Sequence, residues 1–157
     1  MKYFYLLVIL AVFSACDENR VFEQNADLDN KIWMADSTLN FQFNVPKLDE
    51  EYNLYFNIRN TVAYPYENIY ITYSLSDTLN NQLKKELVNY NLFDPKTGEP
   101  YGDGLGDVFD HQLILLENFK FEQPGPYKFQ LQQYMRMDSL PEIISAGIRV
   151  EKVVLPK

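Results

Sequence analysis

The stretch YNLYFNIRNTVAYPYENIYITYSL, residues 52–75, decides the fold. Its apolar residues recur at every second position. Tyr52, Leu54, Phe56 and Ile58 share one side, and Asn53, Tyr55, Asn57 and Arg59 share the other. After a break containing Pro65, Ile69, Ile71, Tyr73 and Leu75 alternate with Asn68, Tyr70, Thr72 and Ser74. A period of two puts one set of side chains on one face of a strand. An amphipathic helix would repeat its apolar residues at three and four. Both segments therefore read as half-buried strands.

The same pattern continues on either side. Leu39, Phe41, Phe43 and Val45 oppose Asn40, Gln42 and Asn44, and Pro46 ends the run. Val88, Tyr90 and Leu92 form a weaker set. Residues 111–119 carry LILL in their middle, apolar on both faces, which suits a buried central strand. Tyr127, Phe129, Leu131 and Met135 oppose Lys128, Gln130, Gln132 and Tyr134; Ile148, Val150 and Val154 make a last strand. Residues 77–87 have room for a short turn of helix, but no ten-residue helical pattern appears. About seven antiparallel strands, each with one apolar face, need a second sheet to cover that face. The expectation is an all-β antiparallel sandwich, with a closed barrel as the alternative.

The start of the chain reads differently. Met1 and Lys2 precede an apolar run, YFYLLVILAVF over residues 3–13, then Ser14, Ala15 and Cys16. This is the layout of a secretory signal. The run is too short for a bilayer, which needs about 20 residues. Phe13-Ser14-Ala15-Cys16 resembles the bacterial lipobox, and Cys16 is the only cysteine, so no internal disulfide competes for it. The expected organisation is a lipoprotein signal peptide over 1–15, lipidated Cys16 with a flexible tether over 16–30, and one sandwich domain over 31–157. Several acyl chains on Cys16 would hold the protein to a membrane.

Removing residues 1–15 leaves 13 Lys and Arg against 22 Asp and Glu, a net charge of −9. Nucleic acid is not an expected partner, because no basic stripe meets phosphates. The chemistry of catalysis is sparse. His111 is the single histidine and reads as structural. No Gly-flanked serine elbow accompanies it, and no cysteine remains for Cys–His chemistry. No enzyme activity and no cofactor are expected. The loop PKTGEPYGDGLGDVFD, residues 95–110, holds four glycines and Asp103, Asp107 and Asp110. Calcium wants six to eight oxygens, so these aspartates are weak metal candidates; turn geometry is the simpler reading. Tyr55, Arg59, Tyr70, Tyr134 and Arg136 fall on the outward sides of strands. Tyr and Arg are enriched at interface hot spots, which makes these five the candidate partner-binding residues. A lipid-anchored sandwich binding carbohydrate through aromatic rings is the alternative.

The order of features resembles a known family. The lipobox is followed by YNLYFNIRN (52–60), YPYENIYITYSL (64–75), GEPYGDGLGD (98–107) and GPYKFQLQQYMRMDSLPEIISAGIRVEK (125–152). The most specific pieces are Arg59-Asn60, the Gly-rich loop and Gln133-x-Met135-Arg136. Together they resemble the gliding-motility lipoprotein GldH family of the Bacteroidetes over nearly the whole length. The resemblance implies a non-enzymatic part in gliding motility and, by association, in type IX protein secretion. The implied partners are other proteins of that machinery. The implied place is the cell envelope, with the periplasmic side of the outer membrane favoured. The family supplies no catalytic residues to carry over.

Overall fold

The computed structural model describes residues 19–47 and 49–154; the expected signal peptide and Cys16 lie outside the described residues. In chain order the strands are β1 (Arg20–Asp27), β2 (Ile32–Met34), β3 (Leu39–Val45), β4 (Tyr52–Thr61), β5 (Asn68–Asp77) and β6 (Gln82–Asn91). They continue with β7 (Asp103–Leu105), β8 (Val108–Phe119), β9 (Gly125–Gln133), β10 (Ser139–Pro141) and β11 (Ile143–Lys152). The described residues contain no α-helix, only a 3-10 turn at Asp29–Lys31.

Two antiparallel sheets pack face to face, as the alternation requires. One has the order β1-β11-β4-β8-β7 and the other β3-β9-β5-β6; β10 and β2 form a small ribbon. The inward side chains are those that the alternation assigns. Phe56, Val45, Ile69, Ile71, Leu75, Phe129, Leu131 and Val150 have no measurable exposure. Where β1 begins, the core is closed by rings. Phe121 packs edge-on against Phe43, Tyr52 and Phe119 at centroid distances of 5.9, 5.4 and 4.9 Å. Where β1 ends, Trp33 covers Phe56 at 6.4 Å, and its indole N–H donates to the Ser37 carbonyl at 3.1 Å.

Four segments depart from the expectation. Residues 20–27, assigned to the tether, form edge strand β1 on β11, with Phe22 packed 5.9 Å from Phe43. The strand escapes the alternation test because one neighbour and a register shift after Arg20 blur its burial pattern. Residues 77–87 hold no helical turn. Asp77 caps a tight hairpin through the Asn81 N–H at 2.8 Å, Asn80 takes the left-handed conformation, and β6 starts at Gln82. The LILL run is not central: beyond the short β7 pairing, β8 is an edge. It looks continuously apolar because a register shift lets Leu113 pair with Phe56 and Leu116 with Leu54, both inward, while Ile114 turns outward. The edge carbonyls of Ile114 and Leu115 accept hydrogen bonds from Tyr90 and Tyr73 of the facing sheet. Lastly, β9 stops at Gln133, so Tyr134 and Arg136 sit in a loop and not on a strand face.

The connections fall at two ends. Those spanning 46–51, 78–81 and 120–124 lie at the near end, where β1 starts. Those spanning 28–38, 62–67, 92–107 and 134–142 lie at the far end.

Candidate functional site

The outer face of the five-stranded sheet is a polar lattice ordered by strand register. One row reads Asp27, Ser145, Arg59, Asp110, Asp103; the next reads Asn25, Gly147, Asn57, Gln112. Arg59 grips Asp110 with both prongs, Nε to Oδ1 at 2.7 Å and Nη2 to Oδ2 at 3.0 Å. Those hydrogen bonds, and then the charge of Asp110, raise the Arg59 pKa above its ordinary value. In the third row Arg149 donates to Glu23 at 2.9 Å and also bonds Glu151. Asn57 Nδ2 donates to the same Glu23 at 2.9 Å. Between these groups lies a depression of about 260 Å³ lined by amides, carboxylates, Arg59, Ser145, Ile58 and His111, with no Phe, Tyr or Trp. A ring platform for stacking a sugar is therefore not part of it.

His111 lies in β8 opposite Ile58 and is 5% exposed. Burial lowers its pKa, against the opposing pull of Asp110 and Asp103. Its Nε2 has no hydrogen-bond partner among the described residues, so the structural histidine is not a fully satisfied one. Gly102 packs over it; a Cβ there would lie 2.8 Å from the imidazole.

The Gly/Asp loop feeds a two-residue hairpin. Gly106, φ +68°, occupies the first central position between paired Leu105 and Val108, where a positive φ matches the strand twist. Asp103 and Asp110 face each other across β7 and β8, but both Asp110 oxygens are engaged by Arg59. No group of three His, Cys, Asp or Glu among the described residues is placed to share a metal ion. Excess EDTA is expected to leave the melting temperature unchanged. A fall of several degrees, restored by calcium, would instead make Asp103, Asp107 and Asp110 ligands.

The five outward Tyr and Arg residues do not form one surface. Tyr55 and Arg59 belong to the five-stranded sheet. Tyr70 lies on β5 of the other sheet, where its carbonyl accepts from the Tyr134 N–H at 2.8 Å. Arg136 is exposed two residues further on. The loop carrying Tyr134 and Arg136 is pinned from inside by Gln133, which is 1% exposed. Its Oε1 accepts from the Met135 N–H at 2.7 Å, and its Nε2 donates to the Met137 carbonyl at 3.0 Å. Met135 Sδ in turn approaches the Tyr70 N–H at 3.3 Å, and Tyr66 bonds Met137.

Sequence reasoning passes over Glu23 and Arg149, and it meets Gln133 only as part of the Gln133-x-Met135-Arg136 resemblance, with no structural role. The signal for Gln133 is a polar residue on the inward phase of Phe129 and Leu131. Arg149 is marked by standing outward between Ile148 and Val150. Glu23 is hidden in the segment assigned to the tether.

Relatives agree with this architecture's extent. The family model described as GldH lipoprotein matches residues 20–150, from the first strand into the last. The chain is 31% identical over 156 residues to the "Gliding motility lipoprotein GldH homolog" of Christiangramia forsetii, covering 95% of this chain and 94% of that protein. It is 29% identical over 154 residues to the "Gliding motility lipoprotein GldH" of Flavobacterium johnsoniae, covering 94% and 93%. Among solved structures, the VP2 subviral particle of infectious bursal disease virus aligns with a TM-score of 0.44 at 13% identity, over 86% of this chain and 33% of that one. At that score the likeness carries no weight for fold or function. With one family model spanning the whole sandwich and two relatives matched nearly end to end, the chain belongs to the GldH lipoprotein family.

Proposed function

We propose that this chain is a non-enzymatic envelope component of the gliding-motility machinery, associated with type IX protein secretion. It is held to the membrane through lipid on Cys16, with the periplasmic side of the outer membrane favoured, and acts through protein contacts. The observation that carries the contact mechanism is the loop 134–137. Exposed Tyr134 and Arg136 ride on a backbone fixed by buried Gln133. A side chain offered from an ordered loop loses little freedom on binding, so more of its contact energy appears as affinity. Tyr and Arg are the residues that most often anchor such contacts. Tyr70 adjoins them, while Tyr55 and Arg59 face the opposite side, where Arg59 already has Asp110.

Two measurements test this. Tyr134→Ala with Arg136→Lys is expected to leave the melting temperature within about 4 °C, as for two surface changes of under about 0.5 kcal/mol each. Gliding, or type IX export in a cell that does not glide, should fall sharply. Unchanged motility and export would remove these residues from the contact. Separately, Cys16→Ser should leave the protein unprocessed or release it from membranes; retention after a high-salt wash would overturn the anchor.

A further inference from the structure

The near and far ends of the sandwich stand at different distances from the proposed anchor. Arg20, the start of β1, comes only four chain steps after Cys16. That is at most about 14 Å of extended chain, so an anchor on Cys16 keeps the near end against the membrane. Strands β4, β5, β6 and β11 are 10 residues long. The far end thus lies roughly 33 Å beyond the near one.

The far end is acidic. The far-end segments 28–38, 62–67, 92–107 and 134–142 carry nine Asp and Glu against three Lys and Arg; the near-end connections carry four against two. Spread over 42 and 15 residues, these excesses of six and two are nearly equal per residue, so reach from the anchor and not charge selects the far end, and its net negative charge sets the sign of the partner. Large apolar side chains are exposed within the far end: Tyr134 at 61%, Met34 at 43% and Met137 at 37%. Met34 lies on the outer side of the β2–β10 ribbon, paired with Ser139, and the Ala35 N–H donates to the Asp138 main-chain carbonyl. This places Met34 beside the Gln133-pinned loop. Methionine adapts its shape to a partner, and an acidic rim speeds and selects encounter with a basic one. An anionic lipid surface would repel the same rim.

We infer that the far end is the docking surface, and that its partner is a protein presenting Lys and Arg to the acidic rim around Tyr134, Met34 and Met137. This rests on the proposed anchoring at Cys16 and on action through protein contacts. Arg136 forms no ion pair among the described residues and supplies one opposite charge within the rim, which fixes orientation by demanding an acid or a ring on the partner.

Zero-length carbodiimide coupling in native membranes tests the inference, because it joins a carboxylate only to an amine in direct contact. Isopeptides to lysines of another protein should concentrate at Asp36, Glu67, Asp94 and Asp138, several-fold above Asp49 and Glu122 of the near end. Asp36→Asn with Asp138→Asn should reduce the adduct several-fold while the fold melts as before. Adducts concentrated at Asp49 and Glu122 would overturn the far-end assignment while leaving protein contact standing. Adducts to lysines of this same chain would make the surface homotypic and overturn the basic partner. No adduct at any carboxylate would overturn docking and the contact mechanism together. Membrane fractionation of the same sample reports independently on Cys16.

Discussion

Phe56→Ala is expected to cost about 3–5 kcal/mol of folding stability, the range for deleting a buried aromatic side chain. Phe56 has no measurable exposure, stands between Ile148 and Leu113 in the middle of the five-stranded sheet, and lies under Trp33. Neighbours held in two sheets and a ribbon cannot fully collapse into the space it leaves, so the loss includes the cavity as well as the transfer term. Stability of a domain this size is about 5–15 kcal/mol, and the melting temperature should fall by on the order of 10 °C or more. Asn57→Ala, one residue along and outward, should cost roughly 0.5 kcal/mol. It loses the hydrogen bond to Glu23, but it also removes Oδ1, which is buried without a partner among the described residues. Chemical denaturation of both variants decides the matter, and equal losses would mean that the register of β4 is wrong.

Gly147→Val is expected to detach β1 from its sheet. A Cβ at Gly147 would lie 2.2 Å from the Gln24 carbonyl oxygen and 2.6 Å from Asn25 Cα. Those are backbone atoms of β1, so no rotamer change relieves the contact; the strand itself must move. Overpacking of this kind costs about 1–3 kcal/mol even in sites that adjust, and this one belongs at the top of that range. Hydrogen exchange should show residues 20–27 losing protection while β5 and β9 keep theirs. Full protection of β1 in the variant would show that Gly147 is not the site of close approach.

The alternation of residues 39–45, 52–58, 69–75 and 127–131 made the sandwich legible, because each strand there is buried on one face and solvated on the other. The rest was not legible for specific reasons. β1 pairs on one side only, and its apolar residues are spaced for a ring contact and a bulge, not for strict alternation. LILL reads as central because a bulge brings three successive phases into one short run. The candidate site was only half legible. Outward phase identified Arg59 and Tyr70 correctly as surface residues, but phase alone does not say which of two sheets a strand joins, so residues on opposite sides of the molecule were grouped. The Tyr134–Arg136 segment was singled out for its residue types, while the group that orders it, Gln133, is an amide on an apolar phase, a mismatch that carries information when the phase is trusted.

The pairing of β1 with β11 also fixes how a pull would travel. Seven register pairs join the two strands, from Arg20 with Glu151 to Asp27 with Ser145. With the proposed anchor at Cys16 and the proposed partner at the far end, a tug on the lipid would drag β1 lengthwise past β11, because the two forces would act at opposite ends of the pair. Lengthwise sliding strains every cross-strand bond at once, whereas peeling would break them singly, and resistance to forced opening is set by that barrier. A loose leader would stretch slack before any strain reached the domain. With the anchor proposed at Cys16, strain would enter the sheet at β1 and pass through β11 to β4, and the domain would act as a stiff strut between lipid and partner.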